Sequence, residues 1–323
     1  MRYRNYKSFS VKSRQMIPNI ISESVVDYFV DSNIVHPYTI NTSIFGKSCN
    51  IYLPTTNLNE LRNYLFTKNF ELFNSFSEIN FFTQKTPFYS DTLHYGNYYG
   101  YATKNEYDSQ PIGKFLSSKI VDELDTRNSH VSQITFDTLT NTVVSTTLMT
   151  TNKNITKSTV LSLVDGFSDN NTKITLIPIN EVPEEFNTNN NKLHEYYELP
   201  SNNSSFIGSD PNSPNRILPL YLRYIAKNIV NSELMDECLI SANYNQSSST
   251  PISLSIDGFG TEKFSMESIY NCIMDVFPLS LKQIKDKMNF NQSFYRQSCE
   301  KNYVNLENVP WEKTDKSKDL IIF

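Results

Sequence analysis

The chain has 323 residues, a formal net charge of −5 and only 8 glycines. That balance gives no support to nucleic-acid or anionic-membrane binding, and no apolar run approaches the roughly 18 residues of a membrane span. Glycine is far below its usual ~7%, and no Walker A or GxGxxG motif occurs, which argues against a nucleotide enzyme built on a phosphate-cradling loop.

The N-terminus is basic (Arg2, Arg4, Lys7, Lys12, Arg14). No apolar h-region follows, so a solvated end is expected rather than a secretory signal, with a transit peptide as the alternative. Residues 21–31 are predicted helical, with Ile21, Val25, Phe29 and Val30 on one side and Pro18 near the start. Asp27 reads as a helix residue serving as a buried partner. Residues 34–52 are β-branched and aromatic, hence strand material. A helix is expected over 58–76, a turn into a short strand over 95–103, and a second helix over 111–124. Alternation over 131–150 predicts a hairpin.

From 151 to 210 the chain is dominated by Asn, Ser and Thr. Element-like patterns persist at 161–167 and 173–179, while 186–192 and 201–205 read as loops or disorder. A helix follows over 215–232. Ile217, Leu220, Tyr221, Tyr224, Ile225, Ile229 and Val230 have the spacing of one buried face. Strands are expected at 238–244 and 252–256. Ser265 and Ser280 are the N-caps of two further helices; Pro278 ends the first, and the second runs to Met288. Identity alone reveals no internal repeat. Aromatics reach 13%, so Tyr and Phe are expected to carry much of the core. Cys49, Cys238, Cys272 and Cys299 form no CxxC pair, so buried thiols in a reducing, cytoplasmic setting are the expectation.

The C-terminal third resembles S-adenosylmethionine synthetase (methionine adenosyltransferase). The matching residues are Phe206, Gly208, Asp210, Pro211 and Arg216, then Arg223 through Val230, Cys238, Tyr244, Pro251 and Ser253. They continue with Phe259 through Lys263, Tyr295 and Pro310 through Lys316. Fainter similarity covers Tyr99 through Thr103, Arg127 with Ser132 through Phe136, and Pro18 with the helix holding Asp27. The resemblance implies an α+β fold of three similar sheet-and-helix domains in a pseudo-threefold arrangement. These are sketched as 1–110, 111–205 and 206–323, with family domains interleaving. It also implies two subunits packed sheet against sheet, with Mg²⁺ and K⁺ as cofactors and ATP as a substrate.

In that family the methionine sulfur attacks the ribose 5′ carbon of ATP and triphosphate departs. A neutral sulfur needs no general base, so the burden falls on Mg²⁺ and cationic groups around the leaving triphosphate. Carboxylates must hold the metal. By the resemblance, the His-Pro-Asp-Lys motif reads Ile17, Pro18, Asn19 and Ile20 here. The acid ahead of it falls on Val11, and the carboxylate for a monovalent cation falls near Pro37. In the substrate loop His94 stands at the Asp position and Tyr95 at the Gln. The Pro-Asp-Ala-Lys segment reads Asn128, Ser129, His130 and Val131. Ser209 replaces a lysine ahead of Asp210, Asn215 replaces the second Mg²⁺ carboxylate beside Arg216, and Gln246 replaces the isoleucine that packs on adenine.

Fold-closing residues thus persist while charge-handling residues do not. The leading expectation is a catalytically impaired homologue, a homodimer or a heteromer with an active synthetase, with no metal and no cofactor of its own. The vestigial positions are Pro18, Asn19, His94, Asn215 and Arg216, and the ligand-binding candidates are Arg216, Gln246 and Asp210. One alternative is an active synthetase with a site rebuilt around His94, Arg216, Lys85 or Lys192. Another is a non-catalytic module binding a nucleotide or S-adenosylmethionine. As structural readings, Lys227 pairs on a helix surface, Trp311 anchors a core, and His36, His130 and His194 carry no shared function.

Overall fold

A computed structural model of the chain describes residues 5–12, 17–34, 36–45, 47–68, 70–84, 96–104, 106–107, 110–124, 130–137, 140–179, 185–187, 207–244, 250–300, 303 and 306–321. Strand β1 (Asn5–Lys12) comes first, followed by α1 (Ile17–Asp31), β2 (Asn41–Phe45), β3 (Ser48–Leu53), α2 (Leu58–Lys68), α3 (Phe70–Phe73) and β4 (Glu78–Thr83). Next come β5 (Gly96–Thr103), the short pair β6 (Glu106–Tyr107) and β7 (Gln110–Pro111), α4 (Ile112–Glu123), β8 (His130–Asp137), β9 (Thr142–Thr150), α5 (Lys157–Leu163), β10 (Lys173–Pro178) and β11 (Glu185–Asn187). The remainder is α6 (Pro214–Asn231), β12 (Glu237–Tyr244), β13 (Ser253–Asp257), α7 (Met266–Val276), α8 (Leu281–Met288), α9 (Tyr295–Glu300) and two 3-10 turns, Pro310–Glu312 and Ser317–Asp319. The fold is α+β, as expected. No described helix is long and apolar enough to cross a membrane.

One motif recurs three times: helix, antiparallel hairpin, helix. It appears as α1-β2-β3-α2, α4-β8-β9-α5 and α6-β12-β13-α7. In the first two copies the chain then returns as a strand parallel to the second hairpin strand, β4 on β3 and β10 on β9. Each hairpin is completed on its other side by an antiparallel strand from a distant place in sequence. These outer strands are β11 on β2, β1 on β8 and β5 on β12. The repeat lives in topology, which explains why identity did not reveal it.

The chain divides into two compact units. One holds the sheet β1-β8-β9-β10 with α4 and α5. Its core gathers Leu116 and Ile120 of α4, Ile134 and Phe136 of β8, Val143 and Leu148 of β9, and Val160 of α5. The other holds the sheets β11-β2-β3-β4 and β13-β12-β5 with α1, α2 and α6 to α9. Its largest fully buried side chains are Trp311, Arg216 and a set of Tyr and Phe residues including Tyr38, Tyr98, Tyr221, Tyr244 and Tyr295. Aromatics therefore fill this core as anticipated. Cys49, Cys238 and Cys299 are buried and all four cysteines are free, while Cys272 is only half-buried.

Several elements depart from expectation. The basic N-terminal stretch is not simply a solvated end, because residues 5–12 pair with β8 along its whole length. Within 34–52, residues 36–40 form a connection rather than a strand, with an isolated bridge between Thr39 and Ser209. Residues 185–187 form β11, where a loop was expected. Helix α6 is buried on most of its circumference, Arg216, Leu218, Leu222 and Arg223 included, while Val230 is half-exposed. A single apolar stripe failed to announce this because two of the buried residues are arginines. The predicted caps hold: the Ser265 hydroxyl accepts from the Ser268 N–H and that of Ser280 from the Gln283 N–H.

Strand β5 lies directly on α6. A Cβ on Gly100 would come within 2.1 Å of the Leu222 backbone, so only glycine lets strand and helix approach this closely.

Candidate functional site

Of the residues singled out by sequence, Pro18 and Asn19 lie on α1, Asp210 in the segment 207–213, and Asn215 and Arg216 in the first turn of α6. Joining α1 to α6 is an ion pair with both partners fully buried. Arg216 Nη1 and Nη2 donate to Glu23 Oε2 and Oε1, each at 2.9 Å. The guanidinium also donates from Nε and Nη2 to the Ser209 carbonyl, at 3.0 and 2.7 Å. Its Cζ lies 4.3 Å from the centroid of the Tyr295 ring. Glu23 Oε1 further accepts the Gly208 N–H at 2.7 Å. Burial alone would lower the Arg216 pKa, but Glu23 outweighs it and holds the guanidinium protonated. The fork geometry suits Arg rather than Lys.

The backbone explains how segment 207–213 is held there. Gly208 has φ +76°, and a Cβ would lie 2.0 Å from the Ile40 carbonyl oxygen. Asp210 is buried, and its Oδ1 accepts the Asn212 N–H at 2.9 Å. This side-chain turn leads the chain into α6. Burial pushes the Asp210 carboxyl above its ordinary range, opposed by that N–H and by Arg216.

The positions that handle charge in the resembling family are built as follows. Pro18 starts α1 and is buried. Asn19, beside it, is buried, and its Oδ1 has no hydrogen-bond partner among the described residues. Asn215 Oδ1 accepts the Tyr98 hydroxyl at 2.8 Å, so a neutral phenol engages the amide. Ser209 is buried, and its carbonyl serves Arg216. His130 is fully buried, with Nδ1 2.8 Å from the Thr150 hydroxyl, whereas His36 is exposed. His94, Tyr95, Gln246, Lys85, Lys192 and His194 lie outside the described residues. The structure therefore brings Asn19, Asp210, Asn215 and Arg216 to one part of the fold. It turns Arg216 inward, toward Glu23, rather than toward an anion in solvent.

A second buried network ties the C-terminal motif to α6. Arg223 Nε donates to Glu312 Oε1 at 3.0 Å, Nη2 to Oε2 at 3.2 Å, and Nη1 to the Tyr101 carbonyl at 2.7 Å. Lys227 also pairs with Glu312, matching its structural reading. Asn228 donates to the Tyr224 and Lys313 carbonyls and accepts the Lys316 N–H. Trp311 is fully buried, and its Nε1 donates to the Tyr303 carbonyl at 2.8 Å. The motif Pro310 through Lys316 thus clamps α6. Glu23 and Tyr98 were not singled out by sequence, and Glu312 only as a member of the Pro310 through Lys316 motif. Glu23 left one signal, an acid one helical turn before Asp27.

Asp27 is the buried partner that its position suggested. Its two carboxylate oxygens accept the N–H groups of Tyr295 and Arg296, both at 2.9 Å, at the start of α9. Burial nonetheless raises its pKa to about 7, against those two donors. The folded protein then keeps this proton up to about pH 7, whereas the unfolded chain releases it near pH 4. The associated stability is complete below about pH 4 and is lost as pH rises to about 7, a change of about 4 kcal/mol. Urea titrations at pH 5 and pH 8 are expected to show this loss in the wild type and a much smaller one in Asp27→Asn. Equal pH dependence in both proteins would contradict the assignment.

Comparison with known proteins follows the same division between well and poorly matched parts. The family model described as S-adenosylmethionine synthetase, C-terminal domain, matches residues 193–313. An S-adenosylmethionine synthase of Aquifex aeolicus is 33% identical over 120 residues, 37% of this chain and 32% of that protein. One from Petrotoga mobilis is 33% identical over 123 residues, 38% of this chain and 31% of its own. The match thus spans about a third of the length of these curated relatives. A solved structure described as an unusual S-adenosylmethionine synthetase from Campylobacter jejuni shares the fold. It has a TM-score of 0.78 and covers 98% of both chains at 16% identity. Residues 193–313 therefore match the C-terminal domain of S-adenosylmethionine synthetase, and the chain as a whole shares the fold of a solved member of that family.

Proposed function

We propose that this chain is a divergent S-adenosylmethionine synthetase homologue without ordinary turnover, acting as a non-catalytic partner of an active synthetase. The observation that carries the reading is Arg216, whose guanidinium is buried and committed to Glu23 and the Ser209 carbonyl. Departure of a triphosphate requires cations facing the phosphates, and removing one such donor costs about 10²–10³ in rate. Such losses do not add simply, yet several positions change together. Asn19 and Asn215 offer carbonyl oxygens without charge, and Tyr98 already engages Asn215. Among the described residues, no three His, Cys, Asp or Glu side chains are grouped to hold a metal. These two positions do not fit a Mg²⁺ ion held by carboxylates, and no step is assigned through one. The Arg216–Glu23 and Arg223–Glu312 networks maintain the fold, which is what a partner subunit requires.

The test is formation of S-adenosylmethionine and triphosphate from ATP, methionine and Mg²⁺. Turnover is expected at least about 10²-fold below that of an active synthetase assayed alongside. A comparable rate would sink the catalytic half of the reading. Co-expression with the same organism's active synthetase is expected to give a co-purifying complex, and a strictly solitary chain would sink the other half.

A further inference from the structure

A pocket of about 170 Å³ opens where α6, the end of α8 and the C-terminal motif meet. It is about half the lower end of the ~300–1,000 Å³ range of drug-sized sites, so it suits a ligand much smaller than a nucleotide. Buried Tyr224, Met288 and Pro310 form its floor. Lys287, Lys313 and Asp315 carry its charge. The Tyr224 hydroxyl donates to Asp315 Oδ1 at 2.8 Å and fixes that carboxylate at the pocket wall. Neither lysine has a carboxylate at ion-pair distance among the described residues. Partial burial, and then the nearby Lys316 charge, pull the Lys287 pKa down, opposed by Asp315 and Asp319. An anion seated beside Lys287 adds to that opposition and favours its charged form. Asn289, Gln292 and Asn308 supply amide donors and acceptors around the opening.

The wall presents two cations and one anion. Its charge complement is a small molecule with two carboxylates and one ammonium. We propose that this pocket binds an acidic α-amino acid, with its two carboxylates toward Lys287 and Lys313 and its ammonium toward Asp315. The inference does not depend on whether the chain catalyses synthesis, because none of these side chains belongs to the Arg216–Glu23 centre.

Calorimetric titration of the full chain with L-glutamate and L-aspartate tests it, with L-glutamine, glutarate and inorganic phosphate as comparison probes. Saturable binding of at least one acidic amino acid is expected. Lys287→Met and Lys313→Met, both on the exposed rim, should each weaken it about tenfold or more. Glutarate, which lacks the ammonium, should bind about tenfold more weakly than L-glutamate to the wild type. In Asp315→Asn that preference should vanish. Saturating ATP and methionine should leave the affinity unchanged. The proposal fails if neither acidic amino acid binds, or if phosphate or glutarate binds as tightly. It also fails if folded lysine variants, checked by circular dichroism, bind like the wild type.

Discussion

Replacing Arg216 with methionine is expected to cost about 3–5 kcal/mol of folding stability, read as a lower urea midpoint with little change in slope. The loss follows from what remains. Glu23 would stay fully buried with its charge uncompensated, and the Ser209 carbonyl would lose its donor. Glu23→Gln should act in the same direction by stranding the guanidinium. A double variant, Glu23→Leu with Arg216→Met, removes both charges and should recover part of the loss. Recovery stays incomplete because the Gly208 N–H and the Ser209 carbonyl still lack partners, at about 1–3 kcal/mol each. A single Arg216→Met variant losing less than about 1 kcal/mol would mean that this arginine is not a structural element. It would return Arg216 to the role of an anion contact.

Trp311→Ala is expected to cost a similar 3–5 kcal/mol. The indole is fully buried, stacked with Phe290 at a centroid distance of 6.2 Å and met edge-on by Phe294 at 5.2 Å. Its removal opens a cavity under the C-terminal clamp and leaves the Tyr303 carbonyl without its indole donor. Lys316→Ala provides the contrast within the same motif. Lys316 pairs with Asp319 on the surface, and loss of an exposed pair of this kind should leave the melting temperature nearly unchanged. Equal effects of the two substitutions would show that the motif does not act through its buried members.

Local chemistry was legible in the sequence where a side chain meets its own neighbourhood. The caps Ser265 and Ser280 and the hairpin of β8 and β9 sit beside what determines them. Long-range partnerships were not. Arg216 and Glu23 are 193 residues apart, and no spacing rule joins an arginine in one helix to a glutamate in another. Strand β1 was hidden because its lysines and serines suit a solvated end as well as they suit a strand. Its pairing depends on β8, far along the chain. The candidate site was legible as a set of substitutions through the family resemblance. The inward turn of Arg216 and the phenol on Asn215 became visible only from the fold.

The three outer strands carry a consequence for how the molecule is made. Strand β5 has left the ribosome long before β12, at residues 237–244, can pair with it. Strand β1 likewise waits for β8, and β2 for β11. Until then each hairpin or strand presents an open edge of unpaired N–H and C=O groups, the usual template for association with other chains. Pairings so distant in sequence also slow folding. The nascent chain is therefore obliged to remain unfinished until its C-terminal third emerges. That same third, where the family model matches, holds β12, the strand that closes the edge of β5.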